Sequence, residues 1–146
     1  MNNTLEIKKE LTKETYSTLI DFGLNNCTSF PLVWRYKLDF DENAKSIEQN
    51  LKDHLIKEEY TNEWPGTKII GSKAKVRFYK FNSGTVTILK KISSLYKWIS
   101  PSAPEDLAFY LKDDLCLLES ISHEELSLIY IYEDTFSLEK LEQEIP

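Results

Sequence analysis

Three short apolar segments follow one another near the end of the sequence, and they constrain the fold more than any other feature. They cover residues 107–111, 115–121 and 126–132. Only a few polar residues separate them, with Asp113 and Asp114 in the first gap and residues 122–125 in the second. Connections this short join antiparallel strands, because a parallel crossover needs about a dozen residues or more. The pattern therefore predicts an antiparallel meander.

Two earlier segments also predict strands. Residues 30–38 are rich in aromatic and β-branched side chains, and Pro31 suits the first residue of a strand or an edge strand. Residues 73–81 alternate, with apolar side chains such as Ala74 and Val76 on one side and basic side chains on the other. A period of two is typical of a half-buried strand. With the meander, the sequence predicts about five strands.

Apolar residues at helical spacing predict the helices. These helices cover residues 12–25, 43–55 and 88–99, and a final acidic helix begins near residue 135. Thr12 can cap the first helix, and Gly23 or Asn25 is suited to end it. We interpret residues 58–66 as a loop, and the third helix must stop before Pro101.

The order of these elements, with three strands late in the chain, indicates an α+β fold. We expect one mostly antiparallel sheet of about five strands, with helices packed on one face. A chain of 146 residues that is 41% hydrophobic can bury about 70% of its unfolded surface, so it needs neither a metal nor a disulfide to fold. We therefore predict a single α+β domain over residues 1–146. We expect no cofactor, and we expect no metal because a structural zinc site usually shows close ligand pairs, whereas His54 and His123 are far apart in the sequence.

The hydropathy of the sequence and its two cysteines predict a cytoplasmic location. No apolar stretch approaches the roughly 18 residues of a membrane span, and the opening of the chain lacks the apolar core of a signal peptide. Cys27 and Cys116 can form at most one disulfide, and a reducing compartment favours leaving both as small buried side chains. We expect a cytoplasmic protein without a membrane partner.

The charges are segregated along the chain. Residues 1–66 carry a net charge of −4, residues 67–98 carry +8, and residues 99–146 carry −10. The basic stripe of Lys73 and Arg77 resembles a surface for phosphate, but a nucleic-acid binder normally has a basic total, whereas this chain totals −6. We expect the basic and acidic segments to complement each other, and we do not expect nucleic-acid binding.

His123 is the main candidate for chemistry. An imidazole beside carboxylates such as Glu124 can act as a general acid or base near neutral pH. Ser120, Ser122 and Cys116 are the nearby candidates for a nucleophile. A histidine in a turn between strands more often makes local hydrogen bonds, and we favour that interpretation because nothing in the sequence sets the geometry.

Tryptophan and tyrosine are candidates for either packing or partner contact. Trp64 lies before Pro65 and Gly66, and Trp98 lies shortly before Pro101. Aromatic side chains both fill cores and anchor interfaces. We favour a role in which both tryptophans hold loops against the core, and the alternative is a partner surface.

Four motifs occur in order between residues 55 and 130. They are WPGT at 64–67, LYxWxxP at 95–101, PEDLxFY at 104–110 and SxSHE at 120–124. In this combination the chain resembles a widespread family of small uncharacterised bacterial proteins, some of which are labelled stage III sporulation protein AH-like. It departs from the usual pattern of that family at Ala108, and in the Leu-Lys-Asp-Asp segment after Tyr110, where a basic residue is more usual.

The resemblance implies, by analogy with proteins that accompany toxin or defence loci, an immunity-type or regulatory binding role. The residues themselves suggest how two motifs meet. Glu105 or Asp106 can accept backbone hydrogen bonds where the chain enters a strand. If either lies close to His123 across the sheet, the two motifs form one polar cluster.

We therefore predict a bacterial cytosolic protein that binds another protein, with toxin neutralisation as the leading hypothesis. The acidic total suits a basic partner such as a nuclease. The alternative is a small hydrolase or transferase that uses His123 with Glu124, Asp106 and Glu105. A concave pocket around His123 would favour the enzyme, and a flat acidic or aromatic patch the binding protein. The candidate contact residues are Trp64, Trp98, Tyr110, His123 and Glu124.

Overall fold

The computed structural model describes residues 3–7, 13–35 and 40–131, which form an α+β fold. The helices in these ranges are α1 (Lys13–Asn26), α2 (Glu42–Leu51) and α3 (Ser83–Leu89). The strands are β1 (Asn3–Glu6), β2 (Ser29–Trp34), β3 (Leu55–Thr61), β4 (Glu63–Trp64), β5 (Thr67–Lys68), β6 (Ala74–Lys80), β7 (Phe109–Tyr110), β8 (Cys116–Ile121) and β9 (Leu126–Ile131).

Seven of these strands form one antiparallel sheet in the order β1-β9-β8-β7-β2-β6-β3, and β4 pairs with β5 in a separate hairpin. The predicted meander is confirmed, because β7, β8 and β9 are neighbours with antiparallel pairing. The strand of residues 73–81 is also confirmed as β6, which lies between β2 and β3. The sheet exceeds the predicted five strands because β1 and β3 were not anticipated.

The two faces of the sheet carry separate apolar cores. Alternate residues of β2, including Phe30, Leu32 and Trp34, pack with the buried faces of the three helices. Val33 points the other way and joins a smaller cluster on β6, which Trp64 of the β4–β5 hairpin covers. The helices therefore lie on one face, and the hairpin lies on the other, which we call the hairpin face.

The prediction of a loop at residues 58–66 is wrong, since these residues belong mostly to β3 and β4. β3 is an edge strand with six of its seven residues exposed. It shows no apolar alternation because neither of its faces is covered, and its main-chain pairing with β6 is what orders it. Leu55, predicted to be helical, is its first residue, because α2 ends at Leu51.

The third helix also differs from its prediction. Asn82 is the N-cap of α3. Its side chain accepts a hydrogen bond from Thr85 N at 2.9 Å, while Thr85 Oγ1 accepts one from Asn82 N at 3.0 Å. This capping box starts the helix earlier than the apolar spacing indicated. Leu95 and Trp98 belong to a separate short 3-10 turn and are both buried. The apolar residues across 88–99 therefore share a buried environment, although they do not lie on one continuous helix.

Gly23 does not end α1, which continues to Asn26. A Cβ at position 23 would lie 2.6 Å from Phe81 Cζ, so the glycine allows a close approach of the helix to the aromatic core. Thr12 and the predicted final helix lie outside the described residues. Within those residues, no helix has the length and apolar character that crossing a membrane requires.

Candidate functional site

The four motifs converge on the adjacent carboxylates Glu105 and Asp106. Asp106 is 6% exposed and has a φ of 55°, a left-handed conformation that aspartate tolerates better than most residues. Its Oδ2 accepts a hydrogen bond from Trp64 Nε1 at 3.0 Å, and its Oδ1 accepts one from Ser122 N at 3.0 Å. Its own N–H donates to Trp98 O at 3.3 Å. One side chain thus joins the hairpin to the turn after β8.

Glu105 makes the second set of connections. Its side chain is 2% exposed, and its Oε2 lies 2.6 Å from Nε2 of His123. Its Oε1 accepts a hydrogen bond from Ser100 Oγ at 3.1 Å. The main chain of Glu105 pairs with Val33 in both directions, at 2.8 and 2.9 Å. The structure therefore places Glu105 against His123.

This cluster does not have the order of a nucleophilic triad. In such a triad the histidine lies between the nucleophile and the carboxylate. Here the carboxylate of Glu105 contacts both Ser100 and His123, so it lies between them. The arrangement fixes the imidazole ring but does not activate Ser100 as a nucleophile.

The three nucleophile candidates named from the sequence have hydroxyl or thiol groups that are hydrogen-bonded, buried or protonated. Ser120 is fully buried and its Oγ donates to Leu107 O at 2.6 Å. Burial raises the pKa of the Cys116 thiol to about 12, so the thiol is protonated and unreactive at neutral pH. Ser122 is 3% exposed, and its hydroxyl is turned into the protein.

The surface above the cluster is the β8–β9 turn, which we define as Ser122–Glu124 together with Glu125. His123 has 60% of its side chain exposed, and Glu124 and Glu125 are both exposed. Glu125 ends the turn with a φ of 51°, and Leu126, the first residue of β9, is 38% exposed. The turn presents an imidazole, two carboxylates and one apolar side chain to solvent.

Two of the predicted contact residues serve the interior. Trp64 and Trp98 are 6% and 0% exposed, and their indole N–H groups donate to Asp106 and Tyr16. This is the loop-holding role that we favoured. Trp98 has no exposed surface left for a partner, whereas the small exposed part of Trp64 lines a cleft. Tyr110 is half-buried, with its ring edge-on to that of Phe78 at 5.3 Å.

The structure adds a cleft that the sequence did not indicate. It has a volume of about 390 Å³ and lies between the β4–β5 hairpin and the sheet. Its walls include Glu63, Trp64, Tyr110, Cys116, Glu119 and Tyr130. We call it the hairpin cleft. The sequence signal for this cleft is Glu119, a single acidic residue within the mostly apolar strand β8. In the structure Glu119 is 6% exposed.

Ser122 supplies a prediction about the cluster. In the described part of the chain its buried Oγ has no hydrogen-bond partner, whereas its N–H donates to Asp106. Ser122→Ala keeps the N–H and removes a buried hydroxyl that gains nothing from folding, so we expect the melting temperature to stay unchanged or to rise slightly. Thermal unfolding measures this, and a fall of several degrees would show that the hydroxyl is satisfied in solution.

Comparisons with known proteins found no matching family model, no matching curated protein and no matching solved structure. The family resemblance therefore remains a prediction. Among residues 3–7, 13–35 and 40–131, no group of three or more His, Cys, Asp or Glu side chains is arranged to hold a metal ion.

Proposed function

We propose that this protein is a binding module that holds a basic protein partner at the β8–β9 turn, and that it acts in the bacterial cytoplasm in an immunity-type or regulatory role. The observation that carries the proposal is how the carboxylates are used. Glu105 and Asp106 are buried, and each already accepts two internal contacts. They support the turn, because their carboxylate oxygens are engaged in these internal contacts.

The charge of the chain fits a basic partner. The total is −6, and the segment that contains the turn, residues 99–146, carries −10. Opposite charge accelerates association and discriminates between partners. Leu126 lies directly beyond the acidic pair and adds apolar contact. A turn that is already held by buried hydrogen bonds loses little conformational entropy when a partner binds.

The toxin-neutralising form of this role rests on the family resemblance, and the binding role rests on the geometry of the turn. These two parts are separable. A regulatory protein with the same turn would hold a basic partner that has no toxic activity. The identity of the captured partner distinguishes them.

Capture of the partner with matched charge reversals tests the proposal. The full chain carries an affinity tag in the bacterium that encodes it, as wild type, Glu124→Lys, Glu125→Lys and the control Asp53→Lys. Asp53 is exposed next to the start of β3, at the far end of the sheet from the turn. We expect a stoichiometric basic protein with wild type and Asp53→Lys, and about tenfold or greater loss with either turn variant.

Two results would contradict this proposal. One is the absence of any stoichiometric protein with the wild-type chain. The other is equal retention of a partner by Asp53→Lys and by the two turn variants. Melting temperatures of the four proteins are compared first, so that a loss of binding reflects the surface and not the fold.

One observation favours a second candidate, a small hydrolase or transferase. The 2.6 Å contact of the exposed imidazole of His123 with the buried carboxylate of Glu105 is the pair that a general base uses. Turnover of simple chromogenic esters or phosphoesters that disappears in His123→Ala, and is reduced in Glu105→Gln, would support it. We expect no turnover above that of His123→Ala, because Ser120, Ser122 and Cys116 offer no accessible nucleophile.

A further inference from the structure

The hairpin cleft is separate from the turn cluster, since neither Glu105 nor His123 lines it. Three aromatic side chains form its walls, those of Trp64, Tyr110 and Tyr130. Its volume of about 390 Å³ lies within the range of small-ligand sites and exceeds what one side chain needs. Two carboxylates, those of Glu63 and Glu119, also belong to the lining.

Glu119 is the inner carboxylate and is only 6% exposed. Tyr130 donates its hydroxyl to Oε1 of Glu119. In the part of the chain that the structure describes, no lysine, arginine or histidine forms an ion pair with Glu119. A carboxylate at this burial is almost always paired, because its desolvation costs several kcal/mol when nothing offsets it.

Oε2 of Glu119 lies beside the turn of the hairpin. A Cβ on Gly66 would clash with this oxygen, and Gly66 has a φ of 86°. A glycine here satisfies the turn and also leaves room at the carboxylate. Glu63, the second carboxylate of the lining, is exposed. The lining of the cleft thus combines two carboxylates with three aromatic side chains.

We propose that the hairpin cleft binds an alkylammonium or guanidinium group, and that this group is a lysine or arginine side chain of the basic partner. Aromatic rings attract cations through their faces, and the attraction grows when water is excluded. A carboxylate at the base makes charge-assisted hydrogen bonds with either cation. The identity of the partner rests on the proposed function, whereas recognition of the cation rests on the cleft alone.

Titration with free side-chain analogues tests recognition of the cation. The probes are N-acetyl-arginine amide and N-acetyl-lysine amide, with N-acetyl-citrulline amide as a neutral analogue of nearly the same shape. We expect a saturable NMR shift of the Trp64 indole N–H with the two cations and none with citrulline. Glu119→Gln weakens the binding by about tenfold or more, while the remote control Asp53→Asn leaves it unchanged.

Glu119→Gln is a suitable variant because its amide oxygen can still accept the hydrogen bond from Tyr130. It removes a buried charge without changing the volume, so the protein stays folded, and its melting temperature verifies this. Three results would overturn the proposal: no saturable shift at tens of millimolar cation, equal shifts with citrulline, or wild-type affinity in Glu119→Gln.

The capture experiment separates this inference from the proposed function. If Glu119→Gln loses the free cations and also weakens partner capture, the partner supplies the side chain. If it loses the cations but captures the partner as well as wild type, the assignment to the partner is wrong. If Glu124→Lys loses the partner and no cation binds, the proposed function stands and the cleft proposal fails.

Discussion

Trp98→Ala is expected to lower the free energy of unfolding by about 3–5 kcal/mol. Trp98 is the largest fully buried side chain among the described residues, and its removal leaves a cavity in the core. The indole N–H of Trp98 donates to Tyr16 Oη at 2.9 Å, and that hydroxyl donates to Leu89 O at 2.6 Å. One side chain thus holds the 3-10 turn against both α1 and α3. In a chain of this length, the loss corresponds to a fall in melting temperature of about 6–20 °C.

Trp98→Phe is the matched comparison. It keeps an aromatic ring and loses the donor to Tyr16, so the cost should be about 1–3 kcal/mol. Urea unfolding followed by circular dichroism measures both variants. If Trp98→Ala unfolds at the same urea concentration as wild type, the side chain contributes nothing to packing, and its role as a contact residue would have to be reconsidered.

Asp106→Ala is expected to destabilise the protein by an amount comparable to that of Trp98→Ala. It leaves the buried N–H groups of Trp64 and Ser122 without acceptors, at about 1–3 kcal/mol each. It also places alanine at a φ of 55°, which costs about 1–2 kcal/mol. We expect a total loss of about 3–6 kcal/mol, since the two N–H groups partly regain contact with water when the hairpin moves.

Asp106→Asn separates the contributions of backbone and side chain. Asparagine tolerates the left-handed conformation and keeps one acceptor oxygen, so about half of the loss should remain. The Trp64 indole resonance should move in both variants. Asp53→Ala, an exposed aspartate on a short 3-10 turn, is the control and should leave stability unchanged. An effect of Asp106→Ala no larger than that of Asp53→Ala would remove Asp106 from its role in holding the hairpin.

The parts of the fold that were predictable are those in which burial leaves a local trace. β6 alternates because one of its faces packs against Val33 and the hairpin, and the late meander is marked by short polar gaps between apolar strands. β3 left no such trace because its residues are exposed, and the capping box at Asn82 was hidden inside a segment that resembles a turn. The sequence pattern predicts an element when its side chains are buried on one face. It does not predict a strand that is ordered by main-chain pairing alone.

The candidate site was predictable only in part. Contact of Glu105 with His123 was a conditional expectation, and the structure places the pair at 2.6 Å. The contribution of Ser100 and the double hydrogen bonding of Asp106 were not anticipated, because the residues involved are 5 to 42 positions apart. No role was predicted for Glu119, although an acidic residue in an apolar strand is itself a signal of an unusual environment.

Composition and periodicity by themselves determined the class of fold, the acidic total and the chemical types that the motifs bring. Those properties are sums or repeats along the chain, so they can be obtained without the tertiary structure. The tertiary structure alone decided that the carboxylates of the PEDL motif are internal supports, that the turn with His123 faces solvent, and that Glu119 opens into an aromatic cleft. Each of these features depends on which groups come into contact across the sheet. Those contacts determine the burial and hydrogen bonding of a carboxylate, and burial and hydrogen bonding determine its chemistry.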